Sequence, residues 1–171
     1  MPEFEDRLRR TIVGLPLWGA TRAADMQRFM FGRAIDGTRT DGRAHQYGEF
    51  ELHVQCPWRL ISNGLLIVGS RDLSEPRSGL IGGPDFDWEP IGSNLRDELL
   101  DVYIEDHQGP RFVRQMGLEL LGDLRLTLDD GSELQLFSAN SQRPIEGEYW
   151  RFTQVDGEHL VATTARFYRI G

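Results

Sequence analysis

The chain reads as an α+β domain, mainly antiparallel sheet built from three hairpins, with two helices. Three observations lead there. Residues 49–59 alternate apolar Phe50, Leu52, Val54, Cys56 and Trp58 with mostly polar Glu49, Glu51, His53, Gln55 and Arg59. That is the period-2 pattern of a strand with one dry and one wet face. Asn63-Gly64, Asp130-Gly131 and Asp156-Gly157 each sit between apolar runs, as hairpin turns do. Only two stretches carry helical periodicity.

In chain order, residues 3–13 form the first expected helix. Phe4, Leu8 and Ile12 recur every four residues, with acids Glu3, Glu5 and Asp6 early and Arg7, Arg9 and Arg10 later, as the helix dipole favours. Gly14 and Pro16 supply the stop. Residues 17–33 are expected to contain a strand ending near 32, and 34–48 a polar loop. The first hairpin joins the strand that opens at 49 and runs to Ser62, interrupted by Pro57, to Leu65–Gly69. Its Asn63-Gly64 turn sets Leu60 opposite Ile67 and Ile61 opposite Leu66. Both faces are apolar there, so burial on both sides is expected.

A second helix spans about 95–106, with Asn94 as N-cap, Leu95, Leu99, Val102 and Tyr103 as its apolar side, and Gly109-Pro110 as its end. Residues 111–121 lead into a strand. The hairpin 124–137 takes a three-residue loop, Asp129-Asp130-Gly131, because that pairs Leu126 with Leu134 and Leu124 with Leu136 and puts Gly131 at the left-handed position. The third hairpin joins Tyr149–Gln154 to His159–Thr164, with Phe152 opposite Val161. Ala165–Ile170 extends it.

At 171 residues the chain fits one domain, 1–171. No apolar run approaches the about 20 residues that span a bilayer, and Met1–Arg10 lacks the apolar core of a signal peptide. One cysteine, Cys56, excludes an intramolecular disulfide, so a cytoplasmic location is expected. The net charge of −8 argues against a nucleic-acid partner. The charge is uneven: residues 1–48 hold 8 Arg against 6 acids, and 49–171 hold 11 Arg against 21. The acidic part can attract a basic protein partner, or serve solubility alone. All 19 basic residues are Arg, which excludes Schiff-base and P-loop lysine chemistry.

The candidate binding residues are Glu51, His53, Gln55, Arg59, Asp85, Asp87 and Trp88. The row Glu51, His53, Gln55 can hold a general base oriented by a carboxylate, or be an ordinary solvated face. Cys56, on the apolar phase, reads as a packing residue. Segment 70–93 is long for a loop, rich in Gly and Pro. In it Asp85, Asp87 and Glu89 alternate with Phe86 and Trp88. An EF-hand fails here, since Pro90 stands where Gly is needed and Arg96 where Glu is needed, so the aromatics pin the loop and the acids face water. His45, His53, His107 and His159 are scattered, so no metal site and no cofactor is expected. No Gly-x-Gly-x-x-Gly, Gly-x-Ser-x-Gly or His-Glu-x-x-His motif occurs, so no catalytic residue is assigned.

Leu52-His53-Val54-Gln55-Cys56-Pro57-Trp58-Arg59, followed by Val68-Gly69-Ser70-Arg71-Asp72 and later by Trp150-Arg151-Phe152, resembles a family of small uncharacterised proteins of bacteria, especially actinobacteria. The resemblance implies a bacterial single-domain protein and carries no activity or site residue. The expected function is a non-enzymatic, protein-binding factor, immunity-like or accessory. The alternative is a small-ligand site or enzyme formed by the polar face of 49–59 and the 70–93 loop.

Overall fold

The computed structural model describes residues 1–38, 42–106, 109–139, 147–163 and 166–171. Helix α1 (Pro2–Ile12) leads into β1 (Pro16–Ala23), β2 (Met26–Thr38), β3 (Ala44–Val54), β4 (Trp58–Ser62) and β5 (Leu65–Gly69). A 3₁₀ turn (Ser70–Ser74) and helix α2 (Leu95–Glu105) follow. Then come β6 (Arg111–Leu118), β7 (Leu124–Leu128), β8 (Glu133–Leu136), β9 (Glu148–Gln154), β10 (His159–Thr163) and β11 (Phe167–Ile170). All eleven strands join one antiparallel sheet, in the order β11-β10-β9-β3-β2-β1-β6-β7-β8-β4-β5. The α+β class with two helices holds; the three-hairpin description gives way to this single open sheet.

The sheet must curl. Six strand spacings separate β3 from β4 in the order, which laid flat would be about 29 Å. The chain crosses from Val54 to Trp58 in four residue steps, at most about 14 Å. The expected strand 49–62, interrupted at Pro57, is therefore two strands on opposite limbs of the curl, separated by Gln55-Cys56-Pro57. Pro57 cannot donate to a ladder. Gln55 and Cys56 N–H both donate to Tyr149 O (2.9 and 3.1 Å), and Phe137 N–H donates to Pro57 O at 2.8 Å, so the corner straps β9 to β8. Across the interior, the Phe29 and Trp58 rings meet edge-on at 5.2 Å.

The interior is filled with side chains. Leu8 and Ile12 of α1 are fully buried among Phe31, Leu52, Leu126, Trp150 and Phe152. The Phe4 ring lies 6.1 Å from Trp150 and 5.0 Å from Phe167. Trp150 donates its indole N–H to Gly122 O at 2.7 Å.

Several registers differ from expectation. Residues 17–33 form a β1–β2 hairpin that turns at Ala24, with φ +52°. The expected polar loop 34–48 is largely strand, since β2 and β3 stay paired from Ala34↔Gly48 to Thr38↔Ala44; residues 39–41 of it lie outside the described residues. Ladder pairing there outweighs a polar, Gly-bearing sequence. Leu60 pairs with Val68 rather than Ile67, through a bulge, while Ile61↔Leu66 is as expected. The tip of that hairpin is exposed, not buried: β5 is an edge strand with Leu65 and Leu66 uncovered. Phe152 pairs with Leu160 rather than Val161, because the β9–β10 loop holds three residues and Gln154 N–H meets Glu158 O. That register puts Phe152 and Leu160 together in the core. Thr164 and Ala165 lie outside the described residues. The β7–β8 hairpin has the expected pairs Leu126↔Leu134 and Leu124↔Leu136, with Gly131 at φ +81°.

Helix α2 is capped as expected: Asn94 Oδ1 accepts from Asp97 N–H at 2.9 Å. Its inward face is the expected one only in part: Tyr103 is in the core and Leu99 packs against it. Arg96, Asp97, Leu100 and Tyr103 are buried, and Val102 faces solvent. Among the described residues no helix is long and apolar enough to cross a membrane.

Candidate functional site

Strand alternation places Arg28, His53 and Arg151 in one cross-strand row on the outer face of β2, β3 and β9. The neighbouring row runs Met30, Glu51, Thr153, His159 into β10. Glu51 is only 4% exposed. Its Oε2 accepts from Arg28 Nε (3.0 Å) and Nη2 (2.7 Å) and lies 2.8 Å from His53 Nε2; its Oε1 accepts from Gly48 N–H. A Cβ on Gly48 would collide with the Phe50 carbonyl oxygen, so the close backbone approach that brings this N–H to Glu51 requires glycine. Burial alone would push the Glu51 carboxyl up, but hydrogen bonds from His53 and Arg28 outweigh it and bring it down to about 2. Beside it, Arg151 grips Glu148 through Nε (3.0 Å) and Nη2 (2.6 Å), and its Nη1 lies 3.1 Å from His159 Nδ1. Burial first, then the positive charge of Arg151, lowers the His159 pKa.

The other expected residues do not join this patch. Gln55 belongs to the corner, its side chain exposed. Arg59 stands on the opposite limb of the curl, where Nε donates to Gln135 Oε1 at 2.9 Å and the guanidinium lies 5.0 Å from the Phe137 ring. Gln135 and Phe137 border a cleft of about 260 Å³ with Glu119, Asp123 and Arg125. Cys56 is buried and burial pushes its thiol up to about 12, so it is inert at neutral pH.

Segment 70–93 is a loop tied at its ends and held from below. Pro76 bridges to Asn94, and Arg77 N–H donates to Ser93 O, so residues 77–93 form a loop with joined ends. Arg22, 5% exposed on the inward phase of β1, reaches through to it. Its Nη2 donates to the carbonyls of Trp88 (2.8 Å), Glu89 (3.0 Å) and Pro90 (2.9 Å). Its Nε donates to both oxygens of Asp97, at 2.9 and 3.0 Å. Asp97 Oδ2 also accepts from Gly92 N–H and Asn94 Nδ2, at 2.8 and 3.0 Å. The loop's outer side carries Asp85, Asp87 and Glu89, exposed, alternating with half-buried Phe86 and Trp88. It also shows Leu80 (52% exposed), Ile81 (94%) and Ile91 (63%). Arg22 and Asp97 escaped the sequence reading. Their one signal was a charge on the inward phase of β1 and another in the first turn of α2.

Among the described residues no group of three or more His, Cys, Asp or Glu is placed to hold a metal ion; His107 lies outside them. No protein-family model, no curated protein and no solved structure matches the chain.

Two outcomes follow from this geometry. Replacing Arg22 by Met leaves Asp97 charged and buried without its partner, so urea unfolding should show a loss of about 3–5 kcal/mol; Arg22→Met with Asp97→Leu should recover part of it. The Glu51 carboxyl lies below its unfolded value, so its contribution is complete above about pH 4.5 and fades as pH falls toward about 2. The stability difference between wild type and Glu51→Gln should therefore shrink across that window in acid denaturation.

Proposed function

We propose that this protein is a non-enzymatic cytoplasmic binding factor that docks a basic protein partner through the loop 76–93. The observation that carries this reading is the Arg22 clamp, with one guanidinium bonded to three successive loop carbonyls and to Asp97. A buried, fully bonded charge under a loop is costly to assemble and fixes one conformation. A pre-ordered loop loses little entropy when a partner arrives. What it presents suits a protein surface: Leu80, Ile81 and Ile91 exposed, with three carboxylates against one guanidinium between residues 77 and 93. Isolated exposed aliphatics are ordinary, but three on one clamped loop mark a contact surface. Acidic side chains at its rim would speed encounter with a basic partner and make it salt-sensitive.

The filled interior supports the same reading, since the curl encloses aromatic and aliphatic side chains where a ligand-binding barrel keeps a cavity. The single pocket that would have combined His53, Gln55, Arg59 and the loop is divided among separate regions of the sheet.

Tagged wild type and the variant Leu80→Asp/Ile81→Asp, both confirmed folded, should be compared in capture from host lysate at low salt. The expected result is a stoichiometric basic protein on wild type, released by salt, and reduced at least tenfold on the variant. Equal capture by both would remove the loop from the interface.

A further inference from the structure

His53 on β3 and His159 on β10 flank β9 on the outer face of the sheet, His53 opposite Arg151 and His159 opposite Thr153. Their hydrogen bonds fix where each ring keeps its proton. The ionised Glu51 only accepts, so His53 Nε2 carries the hydrogen and the neutral ring has its lone pair on Nδ1. That Nδ1 has no hydrogen-bond partner among the described residues. Arg151 only donates, so His159 Nδ1 accepts and Nε2 carries the hydrogen, again without a partner among the described residues. One imidazole thus offers a lone pair and its neighbour an N–H, with Arg151 between them.

Among the described residues, the charged and titratable groups that face the pair are Arg28 from β2, Glu51 from β3, Glu148 and Arg151 from β9, and Tyr168 from β11, opposite Val161. Each carboxylate is held by a guanidinium: Glu51 by Arg28, Glu148 by Arg151. The patch is therefore locally neutral, although the chain carries −8. An anion can approach here without meeting unpaired carboxylates.

We propose that this patch binds a phosphate group, as a monoester or as inorganic phosphate, with His53 Nδ1 accepting its P–O–H and His159 Nε2–H donating to a second oxygen. Phosphate fits for a specific reason. Its second ionisation lies near pH 6, close to that of imidazole at about 6.5, so around pH 6 it keeps a proton to donate while carrying negative oxygens that accept. A carboxylate or a sulfate accepts only. This assignment stands apart from the loop reading, and its readout is confined to the two imidazoles.

The test is NMR of the imidazole nitrogens in the intact chain. Inorganic phosphate is titrated at constant ionic strength, with sulfate in parallel. Phosphate should move the His53 and His159 signals. His45, which packs against Tyr47 elsewhere on β3, should not move, and sulfate should do little. His159 is half-exposed, so His159→Gln should keep its melting temperature and bind phosphate about tenfold more weakly, the worth of one hydrogen bond. His53→Gln gives the same reading if His159→Gln fails to fold. Silent His53 and His159 signals, equal responses to phosphate and sulfate, or unchanged affinity in a folded variant would each overturn the proposal.

Discussion

Arg22 is the side chain on which the loop 76–93 and the start of α2 depend. Its guanidinium sits inside the fold with every nitrogen engaged: Nε on Asp97, Nη1 on Ala24 O, and Nη2 shared among three carbonyls, with Trp88's ring 5.8 Å away. Burying such a charge is favourable only when its geometry is saturated. Here saturation joins a strand, a loop and the start of a helix. It also explains the orientation of α2. Asp97 must face inward to meet Arg22, so Arg96, Leu100 and Tyr103 turn inward with it and Val102 turns out. Arg96 bears part of the cost: it is 1% exposed, donates only from Nη1 to Asp25 O, and burial lowers its pKa to about 10.

The curl of the sheet supplies the frame. A three-residue corner at Gln55-Cys56-Pro57 forces two strands six spacings apart to start and end side by side. The enclosed space is taken by α1 and by Phe29, Phe31, Trp58, Trp150 and Phe152. With the inside filled, what the fold presents is its outer surfaces. The polar rows of β2, β3, β9 and β10 lie on one of them and the clamped loop forms another.

Local features were legible in the sequence, and long-range ones were not. The β7–β8 register followed from leucine spacing and Gly131, and the α2 cap from Asn94. Both depend on neighbours within a few residues. The β9–β10 register was one residue off because Asp156-Gly157 fits a two-residue or a three-residue loop, and only the core position of Leu160 decides between them. The strand 49–59 was correct to Val54. Its alternation continues past the corner because Cys56 and Trp58 point to the same core from the other limb, so Pro57 marked the interruption but the pattern hid the change of limb. For the outer patch, the shared strand face of Glu51 and His53 was legible from alternation. Arg28, Arg151, His159, Arg22 and Asp97 were not, since cross-strand and loop-to-strand partners depend on a strand order that one sequence does not encode in its spacing.

The most direct test of the account is amide hydrogen exchange in the 76–93 loop of the wild-type chain. Backbone N–H groups of Arg77, Ser78 and Gly92 are bonded to Ser93 O, Glu98 Oε2 and Asp97 Oδ2. If Arg22 and Asp97 hold the loop in one conformation, these amides should exchange as slowly as those of the β1–β2 ladder and lose protection only with global unfolding. Exchange at the rate of an unstructured peptide would mean that the loop is not clamped, and the proposed docking surface would lose its support.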